Sequence, residues 1–246
     1  MTSASPEPYD CLIIGGGPAS LTAAVYWLAI GAALCFSTPG RRASLIPESH
    51  NYPGFPGGIS GPGLLGALRK QTATYGVRLI SARITELKRE GVGFAATFAE
   101  QEIKARFILL ATGIVDESPD LPGLDKAVAK GSIRYCPVCD GYEAADQRIG
   151  VLGRGDDASG KAKFLRTYSS DVTLLSLDDR GGRDTETVRS LREAGIKVAG
   201  PVRAIEHSGD GMRAVLRGGQ TLSFDVVYPA LGCGVRSELA TSLGAK

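Results

Sequence analysis

The amino-acid sequence predicts an α/β protein, and two observations lead to that prediction. Apolar residues make up 43% of the 246 residues and charged residues 22%, which excludes a largely disordered chain. Two apolar segments each run into a glycine-rich turn, at Gly15 and at Gly153, and a helix-forming segment follows each turn. Strand, tight turn and helix open a βαβ unit. The sequence therefore predicts two Rossmann-like, three-layer domains with β-meander additions.

The first βαβ unit lies close to the amino terminus. Residues 11–14 predict a short buried strand, residues 19–30 are helical in composition, and residues 32–36 predict a second strand. The glycine- and proline-rich residues 52–63 predict a loop. Residues 62–76 predict a helix, because proline is favoured in a first helical turn and glycine at a helix end.

Ribbons and a linker lead to the second unit. Residues 77–110 predict β ribbons whose last buried strand ends at the segment Ala111, Thr112 and Gly113. Residues 114–125 contain two prolines and four acidic residues, so this segment is the best candidate for a linker between domains.

After the linker the strand and helix pattern starts again. Residues 148–152 predict a strand and residues 158–167 a helix. A second strand follows over 172–175, and a further helix over 184–194.

Both glycine turns match a dinucleotide-binding fingerprint. The first reads Gly-Gly-Gly-Pro-Ala-Ser over 15–20 and the second Gly-Arg-Gly-Asp-Asp-Ala over 153–158. In this fingerprint the first glycine permits the tight turn, the second lets backbone approach a pyrophosphate, and a small third residue allows close packing of helix on strand. Ser20 in the third place weakens the first match slightly. The candidate dinucleotide-binding residues are Gly15, Gly17, Pro18, Ala19, Gly153, Gly155 and Asp156.

The residues after the second strand of the second unit bear on which nucleotide binds. An acidic residue there favours an unphosphorylated ribose, and a basic residue favours a 2′-phosphate. The first charged residue is Asp178, 25 residues after Gly153, which favours NADH over NADPH. Arg180 and Arg183 follow and could still reach a phosphate, and the alternative is that all of these are solvated loop charges.

Cys136-Pro-Val-Cys139 is the sharpest chemical feature. Two cysteines at this spacing can close a disulfide across one helical turn, and a thiolate at a helix N-terminus is stabilised by free N–H groups. Zinc is the rival interpretation, but the remaining cysteines and histidines have no paired spacing, so we expect no metal. Asp140 could transfer protons to a leaving thiolate or could cap a helix. Cys11 and Cys35 lie on predicted buried strands and are expected in the core.

Charge and cysteine usage exclude several classes of protein. A net charge of +2 gives no electrostatic argument for a nucleic-acid partner. Five cysteines in a chain of this length do not form a secreted disulfide framework, and the acidic, proline-broken first ten residues do not form a signal peptide. Residues 11–40 lack charges, but the glycine turn at 15–18 interrupts them. We therefore expect a cytoplasmic protein with no membrane span.

Together these motifs resemble the low-molecular-weight, two-cysteine thioredoxin reductase family of flavoproteins. The similarity covers nearly the whole chain, and the matching elements occur in the family's order. They are Gly15-Gly-Gly-Pro-Ala, Asn51-Tyr-Pro-Gly-Phe-Pro, Gly58-Gly-Ile-Ser-Gly61, Ala111-Thr-Gly113, Cys136-Pro-Val-Cys-Asp-Gly141 and Gly153-Arg-Gly-Asp-Asp-Ala158.

The resemblance implies two domains. Residues 1–116 would form a FAD-binding domain, and residues 117–240 an NAD(P)-like domain that carries the redox cysteines. Residues 241–246 would start a segment that returns to the FAD domain, which in the family continues for roughly another seventy residues. The family usually forms homodimers.

The resemblance also implies roles for single residues. Hydride would pass from NADPH or NADH to FAD, and electrons would then pass to the disulfide. Cys139 would lie next to the flavin, Cys136 would attack the disulfide of a thioredoxin-like protein or a small disulfide substrate, and Asp140 would be the acid or base. Asn51 matches a residue near the isoalloxazine, and the segment 111–113 matches a cofactor-binding segment.

Two motifs depart from the family pattern. The HRRxxxR motif for the NADPH 2′-phosphate is replaced by Ser176-Leu-Asp178, and the GGQL segment at the flavin is replaced by residues 40–47. Three hypotheses follow: a thioredoxin reductase-like enzyme, a flavin-dependent dithiol oxidase or reductase that uses another donor, and a non-catalytic shortened protein of the same fold.

Overall fold

The computed structural model describes residues 7–27, 33–36, 41–178, 185–209 and 211–245. The chain folds into two compact units that alternate along the sequence. Unit 1 consists of Met1–Ser44, Pro62–Val115 and Val235–Lys246, and unit 2 of Leu45–Gly61 and Asp116–Gly234.

Unit 1 is built on a six-stranded sheet. Its strands are β1 (Tyr9–Ile14), β2 (Ala33–Phe36), β3 (Arg78–Ile80), β4 (Glu86–Glu90), β5 (Gly93–Phe98) and β6 (Gln101–Leu110). Their order in the sheet is β3-β2-β1-β6-β5-β4. β1, β2, β3 and β6 run parallel, whereas β4, β5 and β6 form an antiparallel meander at one edge. This is the Rossmann strand order with the added ribbon that the sequence predicts.

Among the described residues, three helices lie between β1 and β3 along the chain. They are α1 (Pro18–Trp27), α2 (Arg41–Ser44) and α3 (Gly61–Thr74). α1 follows β1 directly and starts at a proline, whose fixed φ suits a first helical position. α3 ends just before Gly76, which adopts a left-handed φ of 80° that other residues rarely take. The central strand β1 is fully buried from Cys11 onward, so Cys11 lies in the core as predicted.

The segment between the units is shorter than the predicted linker. Ile114–Asp116 forms a strand, β7, and a helix, α4 (Leu124–Ala129), begins within the predicted linker. Gly123 precedes α4 in a left-handed conformation, with φ 76°. A second short helix, α5 (Pro137–Asp140), and a 3-10 turn at Tyr142–Ala144 follow.

Unit 2 repeats the Rossmann order. Its elements are β8 (Ile149–Gly153), α6 (Gly155–Leu165), β9 (Val172–Ser176), α7 (Glu186–Glu193), β10 (Lys197–Ala199), the meander β11 (Val202–Ser208), β12 (Gly211–Leu216) and β13 (Thr221–Phe224), and β14 (Val226–Ala230). The parallel sheet has the order β10-β9-β8-β14, and the meander is a separate antiparallel sheet. Every residue of β8, β9 and β14 is buried, as expected for parallel strands covered on both faces.

The last described elements are β15 (Cys233–Val235), which pairs with β7, and α8 (Glu238–Thr241). No helix among the described residues is long and apolar enough to cross a membrane.

The two units, which are defined by contacts within the chain, differ from the expected domains at residues 45–61, at Asp116 and at residues 235–240. Residues 45–61 were expected in the first domain but belong to unit 2, because this loop bonds to the cysteine segment. Residues 235–240 were expected in the second domain but belong to unit 1, where the N–H of Arg236 donates to the carbonyl of Gly113 at 3.1 Å.

Candidate redox and dinucleotide sites

Cys136 and Cys139 form a disulfide in unit 2. Their Cα atoms lie 5.3 Å apart. Cys136 is the N-cap of α5 and Pro137 is its first residue, so proline's fixed φ starts the single turn that brings the two sulfurs together. Both cysteines are partly buried, while Val138 between them is 63% exposed. The bond across one helical turn, which the spacing permits, is present.

The loop Leu45–Gly61 forms hydrogen bonds to the backbone of the disulfide turn. The hydroxyl of Ser49 lies 2.6 Å from the carbonyl oxygen of Cys139, to which it donates, and 2.8 Å from Oδ1 of Asn51. The side-chain amide of Asn51 donates to the carbonyl of Val138. The structure therefore places Asn51, predicted to lie near a flavin ring, against the backbone of Val138, between the two cysteines.

His50 lies between these two residues in sequence, and it bonds to Glu143 in the 3-10 turn that follows the disulfide. Its backbone N–H donates to Oε1 of Glu143 at 3.1 Å, and its Nδ1 lies 3.2 Å from the same oxygen. Its ring meets the ring of Tyr142 at a centroid distance of 5.7 Å. Gly58 has φ 79°, which favours glycine, and a Cβ there would lie 2.7 Å from Nε2 of His50, so a larger residue would displace this imidazole. We call Ser49, His50 and Asn51 the clasp.

Asp140, which follows Cys139 in sequence, is buried, with 3% of its surface exposed. The hydroxyl of Tyr228 donates to its carboxylate oxygen Oδ1 at 3.0 Å and to its carbonyl oxygen at 3.2 Å. Nη1 of Arg134 donates to the same carbonyl at 3.0 Å. Cys136 and Gly141 are the N-caps of the two short helices here, so Asp140 caps neither helix. Burial, and after it the neighbouring Asp140 carboxylate, raise the pKa of the Tyr228 hydroxyl far above its usual range, so this group stays a donor.

The first dinucleotide turn lies in unit 1, where β1 meets α1. Gly15 has φ 151°, and a Cβ there would lie 2.2 Å from the carbonyl oxygen of Ala111. Ser20, in the third place of the fingerprint, is fully buried and donates to the carbonyl of Gly17 at 2.8 Å, so a serine fits this place. A Cβ on Gly17 would meet nothing within 4 Å, which leaves open space at the helix start.

The other predicted residues of this turn lie around the same helix start. Pro18 and Ala19 are the first two residues of α1. The N–H of Ala111 donates to the carbonyl of Ile14 at 2.8 Å, so the segment 111–113 continues β6 beside the end of β1. Thr112 donates through its hydroxyl to the carbonyl of Arg236 at 2.6 Å. The structure thus brings the predicted residues of the first turn together.

The second dinucleotide turn lies in unit 2, where β8 meets α6. A Cβ on Gly153 would lie 2.4 Å from the carbonyl oxygen of Ala230 and 2.9 Å from Cβ of Ala158. Gly155 has φ 57°, and its Cβ direction is open. Asp156 is the second residue of α6. The three places of the fingerprint therefore have the geometry that the sequence predicts.

An ion pair between Arg154 and Asp178 lies at the end of β9. Nε of Arg154 lies 3.2 Å from Oδ1 of Asp178, and both side chains are largely exposed. The N–H of Asp178 donates to the hydroxyl of Ser176 at 3.2 Å, which fixes its backbone at the strand end. Arg180, the other predicted nucleotide-binding residue, lies outside the described residues.

A family model for pyridine nucleotide-disulphide oxidoreductases matches residues 9–246, almost the whole chain. The chain belongs to this family.

Three known proteins show where in the pyridine nucleotide-disulphide oxidoreductase family the chain lies. A thioredoxin reductase of Mycolicibacterium smegmatis is 30% identical over 96% of this chain and 79% of that protein. A bifunctional thioredoxin reductase/thioredoxin of Mycobacterium leprae is 33% identical over 72% of this chain and 39% of that protein. The crystal structure of HlmI superposes with a TM-score of 0.85 at 26% identity, over 99% of this chain and 78% of that one.

These comparisons confirm three predictions: the family, the Rossmann-like fold, and an oxidoreductase that resembles thioredoxin reductase. Family membership also supports FAD and a pyridine nucleotide as cofactors. The choice of nucleotide, the roles of single residues, the partner and the homodimer stay predictions.

Several residues that contact these sites were not predicted from the sequence, among them Ser49, His50, Tyr228 and Arg154. Ser49 and His50 directly precede Asn51, so a polar triplet at the start of a glycine- and proline-rich loop was a usable signal. Tyr228 stands alone as a polar group inside an apolar strand, which is also visible in the sequence. Nothing in the sequence indicates that Arg154 reaches Asp178, because the two residues lie in separate turns.

Proposed function

We propose that this chain is a FAD-dependent disulfide reductase. Electrons from NAD(P)H pass through FAD to the Cys136–Cys139 disulfide and on to a disulfide of a thioredoxin-like protein or a small molecule. The observation that carries this proposal is a closed CxxC disulfide beside a buried carboxylate, in the same unit as a dinucleotide turn. Two relatives named for thioredoxin reductase support the partner class, and one of them also carries thioredoxin in its name.

The residues present fit both cofactors. At each helix start a glycine leaves open the space that a Cβ would fill; these are Gly17, directly before α1, and Gly155, the first residue of α6. Backbone N–H groups at helix starts bind phosphate oxygens, so these two turns are the places for the two pyrophosphates. When bound, FAD accepts two electrons from the nicotinamide and makes them available to a disulfide. Gly15, Pro18, Ala19 and residues 111–113 would hold it in unit 1.

On the side of this chain, the exchange step needs only the two cysteines and Asp140. In the reduced pair, the thiolate of Cys136 attacks one sulfur of the partner disulfide, forms a mixed disulfide and releases the first partner thiolate. The thiolate of Cys139 then attacks Cys136, re-forms the internal disulfide and releases the second partner thiolate. Two electrons and two protons reach the partner. Asp140, next to Cys139 in sequence, is the group that we propose handles these protons.

NADH is the donor that the second turn supports. Asp178 follows β9 where an adenosine ribose lies in this fold, and a carboxylate there accepts from ribose hydroxyls and repels a 2′-phosphate. Anaerobic mixing with NADH should therefore bleach the flavin absorbance of the holoprotein, and NADPH should do so more slowly. If neither bleaches the flavin, the pyridine-nucleotide step is wrong. Oxygen uptake with a small dithiol alone would then indicate a dithiol oxidase.

Replacement of Cys139 tests the electron path. In Cys139→Ser, NADH should still reduce the flavin, but reduction of a thioredoxin disulfide should fall to background, because the flavin has no sulfur to reduce. Cys136→Ser is the matched variant, and it should keep a free thiol at Cys139 that iodoacetamide labels. Loss of flavin from Cys139→Ser would show that this cysteine has been assigned the wrong role. Size-exclusion chromatography with light scattering tests the homodimer that we also propose.

A further inference from the structure

Tyr228 is an unusual residue for its position. It lies in the middle of β14, a strand buried along its whole length, and none of its own surface is exposed. A hydroxyl placed in such a strand is unfavourable unless it is hydrogen-bonded. Both acceptors that it meets belong to Asp140, at 3.0 Å on the carboxylate and 3.2 Å on the carbonyl. The tyrosine is thus directed at the residue that follows the second redox cysteine.

The groups around Asp140 determine how far its carboxylate anion is stabilised. Burial disfavours the carboxylate anion, whereas a donor to its oxygen favours it. From the preceding segment, Arg134 donates to the carbonyl of Asp140. From α6, Nζ of Lys161 donates to the carbonyls of residues 135 and 229, at 3.3 and 2.5 Å. The nearby acid, Glu143, is paired with the clasp. Tyr228, whose hydroxyl also bonds to the side chain of Arg134, is a group that donates to the Asp140 carboxylate itself.

We propose that Tyr228 is a positioning residue for disulfide exchange, because its hydroxyl holds the Asp140 carboxylate in one orientation as the proton acceptor of the cysteine pair. The S–H bond of one thiol breaks as the O–H bond of Asp140 forms, and the thiolate attacks the partner disulfide. The proton then passes from Asp140 to the released partner thiolate. This inference rests on the proposed function, but it concerns one bond within it.

The test is a pH profile of a single exchange step. The full-length holoprotein is reduced chemically, freed of reductant, and mixed with an aromatic disulfide whose released thiolate is coloured. Asp140→Asn identifies the limb of the profile that belongs to this carboxylate. In Tyr228→Phe we expect that limb to move to higher pH by about one unit, a tenfold change in proton concentration, because the anion loses a hydrogen bond. Tyr168→Phe is the control, since its ring packs on Gly141 without a described bond to the carboxylate.

Two outcomes would overturn the inference. A Tyr228→Phe profile that superimposes on the wild-type profile would show that the bond does not act on Asp140. A shift that persists in the Asp140→Asn background would show that Tyr228 acts elsewhere. If Asp140→Asn itself changes nothing, the proton role in the proposed function fails as well, so the two failures are distinguishable. Should Tyr228→Phe not fold, 3-fluorotyrosine at position 228, a stronger donor, should move the limb to lower pH; an unmoved limb would overturn the inference.

Discussion

Gly153→Ala is the substitution whose effect the structure determines most directly. Gly153 is the last residue of β8, and a methyl group there would lie 2.4 Å from the carbonyl oxygen of Ala230 and 2.9 Å from Cβ of Ala158. Real Cβ atoms essentially never approach within 3.0 Å of a heavy atom beyond the neighbouring residues, so β8 and β14 must separate by at least 0.6 Å at this point. The obstacles are a backbone atom and a Cβ, which no rotamer change can remove.

The loss of stability in Gly153→Ala depends on the strand pairing that this movement disturbs. β14 pairs with β8 from Val226 opposite Ile149 to Ala230 opposite Gly153, and all of these residues are buried. Overpacking of a filled core costs about 1–3 kcal/mol, and we expect the upper half of that range because a strand has to shift. Gly160 offers a matched control, since it lies on the exposed side of α6 with nothing near its Cβ direction. Gly160→Ala should stabilise the chain by about 0.5–1 kcal/mol.

The assay is urea unfolding followed by far-ultraviolet circular dichroism. Gly153→Ala should unfold at a lower urea concentration than the wild type, and Gly160→Ala at a higher one. The first variant should also lose nucleotide binding, because the turn at the start of α6 is displaced. A Gly153→Ala protein that unfolds at the wild-type midpoint would refute the close approach of β8, α6 and β14, and with it the physical reason for the first glycine.

Two further predictions concern exposed and buried side chains. Arg154→Ala should tighten NADH binding by up to about fivefold in a fluorescence titration, because the exposed ion pair with Asp178, worth about 0.2–1 kcal/mol, no longer competes with the ribose. Weaker binding would contradict this. Iodoacetamide at pH 8 should modify exposed Cys233 and spare buried Cys11 until urea unfolds the chain, as peptide masses would show. Burial raises the pKa of the Cys11 thiol to about 11. The stability that this buried, neutral thiol contributes is therefore fully present below about pH 9, and it is lost as the pH rises towards 11.

The elements that sequence predicts well are those set by local rules. Both βαβ openings are where the glycine turns and apolar segments indicate, since a tight turn and a helix start depend on neighbouring residues. The disulfide follows from a spacing of three residues. The helix over 61–74 likewise follows from its proline start and the glycine that comes after its end.

The contacts that complete the redox site depend on residues far apart in sequence. Ser49 reaches Cys139 across 90 residues, and Tyr228 reaches Asp140 across 88. No local pattern encodes such a pairing, because it arises only when the sheet order brings distant segments together. The packing of residues 45–61 with unit 2 could not be predicted for the same reason, since a loop's sequence does not say which unit it packs against.

The way the two units alternate along the chain has a consequence for synthesis. Unit 2 needs residues 45–61, which lie between two parts of unit 1, and unit 1 needs residues 235–246, which leave the ribosome after all of unit 2. Domains commonly fold one after another as they emerge, starting from the amino terminus. Here unit 2 has all of its parts once Gly234 has been made, whereas unit 1, which contains the amino terminus, still needs the segment that follows. About ninety residues are therefore translated after the clasp before the cysteine segment to which it bonds is made.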